Sequence, residues 1–211
     1  MMKVLLFDLG NVVLTNDLPY HTPEQAKDFC EHFNVTLDNL DSAFNVSFPD
    51  FSLGRISEDE FWKRYLFTAR AKEINVPYAK EFYRRNQAEM ETMVSLLDDL
   101  KDTSRLAALS TIPKEWLAFK RDKFKLDRYF EIIISSGEYG VSKPDPRIYE
   151  IAIQRLHVEP REVLFVDDME LMLTPAREIG METILFRGQE DLLMRLRYHD
   201  PELALPKRSR K

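Results

Sequence analysis

Four short runs of apolar residues, each followed at once by a polar side chain, restrict the possible folds of this chain more than any other feature. The runs are VLLF (residues 4–7), LAAL (106–109), EIII (131–134) and VLFV (163–166). Polar and apolar residues do not alternate within them, which is typical of strands buried on both faces of a sheet. The pattern therefore predicts a parallel sheet covered by helices on both sides.

Helical patterns separate these runs. Before the second run, apolar residues recur at i, i+3, i+4 and i+7 in a stripe made of Met93, Leu96, Leu97 and Leu100. After the third run, Asp145 can cap a helix that has Pro146 at its first position. The alternation of strands and helices predicts an α/β fold with a Rossmann-like, doubly wound parallel sheet.

The polar residues that follow the runs are candidates for a functional site. Asp8, Ser110 and Asp167 each come directly after an apolar run. Open parallel sheets bind ligands at the carboxyl ends of their strands, where loops from separate strands converge. We therefore expect these three side chains to meet in space. Because an ionised carboxylate beside a buried strand is costly without a partner, Asp8 in particular requires one.

The segment from residue 16 to residue 91 has a different character, because it contains aromatic residues at helical spacing and no comparable strand run. Thr22 and Ser57 each stand three residues before a Gln or Glu, as in the capping box that begins a helix. The stretch FPDFSLGRIS (residues 48–57) is predicted to be a loop. We interpret the segment as a helical subdomain inserted after the first strand.

Composition and charge limit the possible partners. With 30 basic and 36 acidic residues and a formal net charge of −6, the chain is poorly suited to nonspecific binding of nucleic acid, which needs a cationic face. Its single cysteine, Cys30, excludes an intrachain disulfide and suits a reducing compartment. No segment approaches the run of about 18 apolar residues that a membrane span needs, and no signal-peptide pattern opens the chain. We therefore expect a cytoplasmic protein, with the basic ending PKRSRK as a solvated tail.

Two further motifs indicate a site for a metal ion and an anion. Asp167 and Asp168 are adjacent carboxylates that repel each other unless a cation lies nearby, and Mg²⁺ takes one or two carboxylates together with water and phosphate oxygens. Lys143 lies just before a predicted helix start, where an anion binds well. Each residue also has a simpler interpretation: Asp8 as a turn residue, Ser110 as a helix cap and Lys143 as a surface lysine.

The ordered motifs FDLGNVV, LST, SKPDPRIYE and VLFVDDMELMLTPAREIGM resemble the haloacid dehalogenase superfamily, and above all its phosphatases with a helical cap inserted after the first strand. The resemblance covers nearly the whole chain. It implies a core domain at residues 1–15 and 92–200, a helical cap at residues 16–91 and a basic tail at residues 201–211.

The resemblance also implies catalytic roles. Asp8 would be the nucleophile that becomes an aspartyl phosphate, Ser110 would bind a phosphoryl oxygen, and Lys143 would neutralise charge on both. Asn11 and Thr111 are predicted to bind the substrate together with Ser110 and Lys143. The substrate would be a small phosphorylated metabolite.

Mg²⁺ is the implied cofactor, held by the carboxylates of Asp8, Asp167 and Asp168 and by the backbone carbonyl of Gly10. Most phosphatases of the family carry an aspartate where this chain has Gly10, and that aspartate protonates the leaving oxygen and then activates water. Such acid–base help is typically worth ~10²–10⁴-fold. Glycine removes the side chain but keeps the carbonyl, so the metal site is expected to persist.

The motif DLGNV resembles a branch of sugar-phosphate phosphatases related to α-glucose-1-phosphate phosphatase. In that branch glycine is compatible with hydrolysis, because a sugar 1-phosphate has a fairly good leaving group. Asp17 and His21 could replace the missing acid, or they could be ordinary loop and pre-helix residues. Met172 stands where the family commonly has asparagine, and a methionine is expected to pack rather than to hydrogen-bond into the site.

Three other functions are alternatives to a phosphatase. A haloacid dehalogenase is disfavoured by the paired aspartates and by the absence of an arginine between Asp8 and Gly54. A phosphoglucomutase is disfavoured because moving protons between sugar hydroxyls needs the acid that Gly10 lacks. A non-catalytic module that binds phosphometabolites or a protein partner is favoured by Gly10 and Met172. The sequence carries no signature of the substrate's identity or of the oligomeric state.

Overall fold

The computed structural model describes residues 4–199, and in this part of the chain one sheet of five strands carries the fold. In chain order the strands are β1 (Val4–Phe7), β2 (Arg105–Ser110), β3 (Ile132–Ser135), β4 (Val163–Asp167) and β5 (Glu182–Leu185). Across the sheet they lie in the order β3-β2-β1-β4-β5, and every neighbouring pair is parallel.

Helices connect the strands and cover the sheet. They are α1 (Pro23–Phe33), α2 (Leu37–Ser52), α3 (Glu58–Thr68), α4 (Val76–Asn86), α5 (Glu91–Leu100), α6 (Lys114–Phe124), α7 (Ser136–Tyr139), α8 (Pro146–Leu156), α9 (Glu170–Glu178) and α10 (Gln189–His199). Among the described residues, none of these helices is both long enough and apolar enough to cross a membrane. The predicted basic tail, residues 201–211, lies outside the described residues.

Successive residues of each central strand face opposite sides of the sheet, and both sides are buried. In β1, Leu5 and Phe7 belong to one hydrophobic core, which contains residues of α1–α6 and α10, while Val4 and Leu6 belong to a second core with α8 and α9. All four residues are at most 3% exposed. The predicted doubly covered parallel sheet is therefore confirmed. The sequence predicts this arrangement because every side chain of a strand with two buried faces points into a core, so polar residues do not alternate with apolar ones.

The fifth strand, β5, has no signal of the kind that marks the other four. It lies at the edge of the sheet beside β4, and of its four residues only Ile184 is buried. An edge strand faces solvent along one side, so it does not need a continuous apolar run. The four runs therefore predict four of the five strands, and β3 begins one residue later than its run indicates.

The segment between residues 16 and 91 forms α1–α4 and contributes no strand to the described sheet. Helices α1 and α3 begin where the capping pattern predicts. The hydroxyl oxygens of Thr22 and Ser57 accept hydrogen bonds, at 3.2 and 3.3 Å, from the backbone N–H groups three residues further on. Each bond satisfies one of the N–H groups that the first turn of a helix leaves unpaired.

The prediction of a loop over residues 48–57 is wrong for its first half, because α2 continues to Ser52 with Pro49 inside it. A proline removes one helical hydrogen bond and normally favours a break. Aromatic packing outweighs this cost, since the ring of Phe51 has its centroid 4.7 Å from that of Phe61 and 5.0 Å from that of Trp116. Tertiary contacts thus override the local signal.

Gly54 is required where the turn after α2 rests on α7. It has φ of +69°, and a Cβ atom there would lie 2.6 Å from the carbonyl oxygen of Gly137. We expect Gly54→Ala to destabilise the protein by about 2–4 kcal/mol, from left-handed backbone strain together with the steric clash. Gly140→Ala is the matched control: φ there is +67°, but no atom lies within 4 Å of the added Cβ. It should therefore cost only about 1–2 kcal/mol. If both variants lost the same free energy of unfolding in urea denaturation, the contact between Gly54 and Gly137 would not have the proposed role.

Candidate active site

The candidate site lies where the chain changes direction across the sheet. From β1 the chain continues to β2 on one side and later reaches β4 on the other, so β1 and β4 flank a topological switch point. Asp8 follows β1 directly and Asp167 ends β4. The backbone N–H of Asp8 donates to the carbonyl of Val166 at 2.8 Å. The two aspartates therefore lie side by side at the carboxyl edge of the sheet.

Lys143 joins these two aspartates. Its Nζ lies 2.8 Å from Oδ1 of Asp8 and 2.6 Å from Oδ2 of Asp167, and its side chain is only 3% exposed. A buried ammonium needs partners of opposite charge, and the two carboxylates supply them. Lys143 is therefore not a surface lysine, and it is held shortly before α8, whose N-cap is Asp145 as predicted.

Burial and neighbouring charges shift the pKa values of this cluster. Burial would lower the pKa of Lys143, but the carboxylates of Asp8 and Asp167 outweigh burial and raise the pKa above its usual value. Burial raises the pKa of Asp167 to about 6, although Lys143 acts to lower it. Burial, followed by the charge of Asp8, also raises the pKa of Asp168. The single ammonium thus leaves excess negative charge, which a further cation would relieve.

The donor atoms at this edge fit a hard divalent cation. Carboxylate oxygens of Asp8, Asp167 and Asp168 lie within 4.8 Å of one another, and such oxygens are preferred ligands of Mg²⁺. Nδ2 of Asn11 donates to Oδ2 of Asp168 at 3.1 Å and so orients that carboxylate. Within residues 4–199, the backbone hydrogen bonds of the turn after β1 use other carbonyls and leave that of Gly10 available.

Ser110 and Thr111 lie at the same edge, at the end of β2 beside β1. Ser110 is 5% exposed. It does not cap α6, which has Pro113 at its N-cap and no side-chain cap bond. The Oγ1 atom of Thr111 is buried and has no hydrogen-bond partner in the described part of the chain. An unpaired buried hydroxyl is costly, so Thr111 has an unused capacity to bind a polar group.

The structure also reveals supporting contacts that the motifs do not predict. The backbone N–H of Met169 donates to Oδ1 of Asp167 at 2.9 Å. The hydroxyl of Tyr149 donates to the carbonyl of Met172 at 2.6 Å and so ties the chain after β4 to α8. Tyr149 lies within the motif SKPDPRIYE, but its only sequence signal is a polar atom on the apolar face of a helix. Met172 itself is half-buried, as expected for a side chain that packs.

Asp17 and His21, the two suggested replacements for the missing acid, have other partners. The carboxylate of Asp17 accepts hydrogen bonds from Nζ of Lys120 at 2.6 Å and from the hydroxyl of Tyr83 at 3.4 Å. Nε2 of His21 lies 3.0 Å from the amide Nε2 of Gln87. These contacts match the interpretation of both as ordinary loop residues.

Acid is expected to destabilise the protein through His21. Burial, followed by the charge of Lys120, lowers the pKa of His21 from 6.5 to about 4, and the ring nitrogen accepts a hydrogen bond from Gln87. Between these pH values the unfolded chain binds a proton that the folded protein does not, so stability falls as the pH decreases through this window. We expect the drop in Tm from pH 7 to pH 5 to be smaller for His21→Gln than for the wild type. An equal drop in both proteins would rule out this role.

Comparison with known proteins adds to this geometry. A family model described as haloacid dehalogenase-like hydrolase matches residues 2–170. Over 203 residues the chain is 26% identical to drimenol cyclase drtB of Aspergillus calidoustus, and the alignment covers 93% of the chain but 36% of that protein. The chain therefore spans only about a third of that relative's length.

Two other relatives are similar in length to the chain. Flavin mononucleotide hydrolase 1 of Arabidopsis thaliana is 26% identical over 208 residues, which cover 98% of the chain and 81% of the relative. D-ribitol-5-phosphate phosphatase of Bacteroides thetaiotaomicron is 26% identical over 190 residues, which cover 87% of the chain and 91% of the relative.

A solved structure has the same fold. It is that of a haloacid dehalogenase family enzyme from Bacteroides thetaiotaomicron, in complex with magnesium and inorganic phosphate, with a TM-score of 0.72 and 22% identity. The match covers 87% of this chain and 93% of the other. The α/β architecture predicted from the sequence is thus that of this enzyme family.

Proposed function

The chain belongs to the haloacid dehalogenase-like hydrolases, whose family model spans residues 2–170, and from that membership we propose that it is a Mg²⁺-dependent phosphatase acting on a small phosphorylated metabolite. The observation that carries the proposal is the contact of one buried ammonium, Lys143, with both Asp8 and Asp167. A nucleophile, a fixed cation and a set of oxygen ligands are then available in one place, as attack by an anion on a phosphate ester requires.

We propose that a carboxylate oxygen of Asp8 attacks phosphorus. A bond forms between that oxygen and phosphorus while the bond to the leaving oxygen breaks, and the leaving oxygen takes its proton from solvent. Lys143 neutralises charge on the nucleophile and on the phosphoryl group, and the hydroxyls of Ser110 and Thr111 donate to phosphoryl oxygens. Water then hydrolyses the aspartyl phosphate, which restores the carboxylate of Asp8 and releases inorganic phosphate.

Asp8, Asp167, Asp168 and the carbonyl of Gly10 are the proposed ligands of Mg²⁺, with the hydrogen bond of Asn11 holding Asp168 in position. When bound, the ion supplies positive charge that reduces the repulsion between a carboxylate and a phosphate anion. Asn11 is also proposed to contact the substrate, because it adjoins this cluster.

Residues 16–91 are proposed to act as a cap that selects substrates for a core of residues 1–15 and 92–200. The two connections between these parts run side by side: the N–H of Thr15 donates to the carbonyl of Ala88, and the N–H of Met90 to the carbonyl of Val13, both at 2.9 Å. The first connection begins a few residues after Asp8 and the second is paired with it, so the helices between them are tethered close to the site.

A good leaving group is part of the proposal, because Gly10 provides no acid to protonate a poor one. Phosphate esters of sugars at the anomeric carbon meet this requirement. One relative is a D-ribitol-5-phosphate phosphatase, which supports a sugar-derived substrate but not this leaving group, because ribitol has no anomeric carbon. We therefore propose sugar phosphates as the first substrates to screen, with aryl phosphates as a generic comparison.

A binding module without turnover is the second candidate function. It is favoured by Gly10 together with the engagement of Asp17 and His21 by other partners, which leaves the site without an evident general acid. Calorimetry and phosphate release on the same ester distinguish the two functions. Tight binding with no release of phosphate would favour the module.

Chelation is expected to abolish phosphate release from p-nitrophenyl phosphate, and excess Mg²⁺ is expected to restore it, because the carboxylate cluster leaves negative charge that only a cation offsets. The measurement is a phosphate assay with EDTA, with EDTA followed by Mg²⁺, and with Mg²⁺ alone. Activity that persists in EDTA after exhaustive dialysis would contradict the metal dependence.

A further inference from the structure

Away from the candidate active site, a groove of about 760 Å³ lies between α3, α4 and α6. Apolar side chains of Val76, Pro77 and Phe119 contribute to its lining. None of the groove's lining residues belongs to the aspartate cluster, and neither Ser110 nor Thr111 lines it. The groove is therefore a separate concave surface.

The charge of this groove is opposite to that of the whole chain. Five basic side chains line it, against the acidic Asp59 and Glu81, although the formal net charge of the chain is −6. The basic residues are Lys63, Lys80, Arg84, Arg85 and Lys123. Such a local excess of one sign attracts a ligand of the other.

Three of these cations have no carboxylate partner within ion-pair distance among residues 4–199. Lys123 donates to the backbone carbonyls of Arg84 and Gln87 at 2.8 and 2.7 Å, and the guanidinium of Arg85 lies 4.5 Å from the ring centroid of Phe82. Within the described residues Lys63 forms neither a hydrogen bond nor an ion pair, and it has only a longer-range attraction to Asp59. Their positive charges are therefore not cancelled locally by ion pairs.

The helices that line the groove are held together by one buried carboxylate, that of Glu58. Oε1 of Glu58 accepts hydrogen bonds from the indole nitrogens of Trp62 at 3.4 Å and Trp116 at 3.1 Å. Oε2 of Glu58 accepts one from Arg84 at 2.7 Å. These bonds tie α3, α4 and α6 together, so a ligand would not have to order the groove, which favours binding.

We propose that this groove binds a small amphiphilic anion, in which an apolar body lies on Phe119 and a sulfonate, carboxylate or phosphate group lies between Lys63, Arg85 and Lys123. Its volume is within the range of about 300–1,000 Å³ typical of small-molecule sites. A protein partner would instead need about 800 Å² of surface on each side. The proposal is independent of the catalytic function.

The probe is 8-anilinonaphthalene-1-sulfonate, an aromatic anion whose fluorescence rises in apolar surroundings. We expect saturable binding at one site, about tenfold or more weaker in the double variant Lys63→Glu/Arg85→Glu. The matched control is Arg155→Glu/Arg161→Glu, the same charge change at exposed positions outside the groove, and it should bind as the wild type does. N-phenyl-1-naphthylamine, the same ring system without the sulfonate, should bind much more weakly than the anion.

Further measurements distinguish binding in the groove from binding at the candidate active site. Saturating Mg²⁺ with inorganic phosphate should leave probe binding unchanged, and the circular dichroism spectrum should be the same in all variants. Equal loss in both double variants, displacement by phosphate, or equal affinity for the neutral compound would overturn the proposal. Binding of an acidic peptide without saturable binding of the probe would also overturn it, by assigning the groove to a protein partner.

Discussion

Replacement of Asp8 by asparagine is expected to lower phosphate release by about 10³-fold or more. The amide has nearly the same shape, but it lacks the charged oxygen that would attack phosphorus. The variant should still fold, because Lys143 keeps its contact with Asp167 at 2.6 Å. Removal of one carboxylate from a cluster with excess negative charge should also relieve repulsion.

The measurement is phosphate release from p-nitrophenyl phosphate and from a panel of sugar phosphates, with Tm recorded for each protein. Asp50→Asn is the matched control, because it makes the same change at a half-buried carboxylate of α2, which pairs with Arg55 in the turn after α2 and with Arg64 on α3. It should retain wild-type turnover. Undiminished turnover in Asp8→Asn would disprove the role of Asp8 as nucleophile, and with it the aspartyl-phosphate route.

The parts of the fold that the sequence predicts are those in which one physical requirement acts alone. A strand with two buried faces must be apolar throughout, so β1, β2 and β4 are evident in the letters VLLF, LAAL and VLFV. The polar residues that follow them lie at one edge, because parallel strands end on the same side of the sheet. This geometry explains why Asp8 and Asp167 could be expected to meet although they are far apart in the chain.

Where two requirements compete, the sequence is a weaker guide. In α2, the helix-breaking tendency of Pro49 opposes the packing of Phe51 against Trp116, a residue 65 positions further along the chain. In β5, exposure of the strand edge removes the need for apolar residues. The hydroxyl bond of Tyr149 to the carbonyl of Met172 depends on how α8 lies against α9, which no local pattern encodes.

The same limit applies to the polar network beside the site. The sequence offers Asp17 and His21 as possible acids because they follow the first motif. Only the structure shows that Lys120, from α6, binds Asp17 and that Gln87 binds His21. The local sequence shows where polar groups occur, but residues that are distant in the chain determine which hydrogen bonds those groups form.

Replacement of Lys143 by methionine is expected to have a second large effect, on stability as well as on turnover. The ammonium is 3% exposed and contacts both Asp8 and Asp167. Its loss leaves two buried carboxylates without compensation, a change that typically costs about 3–5 kcal/mol. The measurement is the free energy of unfolding in urea, with EDTA and with Mg²⁺. Mg²⁺ should restore part of the loss, because the proposed metal site exists in the folded protein and not in the unfolded chain.

Lys120→Met is the control that makes this prediction specific. Lys120 is also buried, at 1% exposure of its side chain, and pairs with Asp17 at 2.6 Å, but it has no contact with the aspartate cluster in the described structure. It should lose stability by a similar amount without any recovery in Mg²⁺. The double variant Asp8→Asn/Lys143→Met should be more stable than the sum of the single effects indicates, because one of the repelling carboxylates is gone. If Mg²⁺ restored the free energy of unfolding equally in both lysine variants, or in neither, Lys143 would have no specific role beside the proposed metal site.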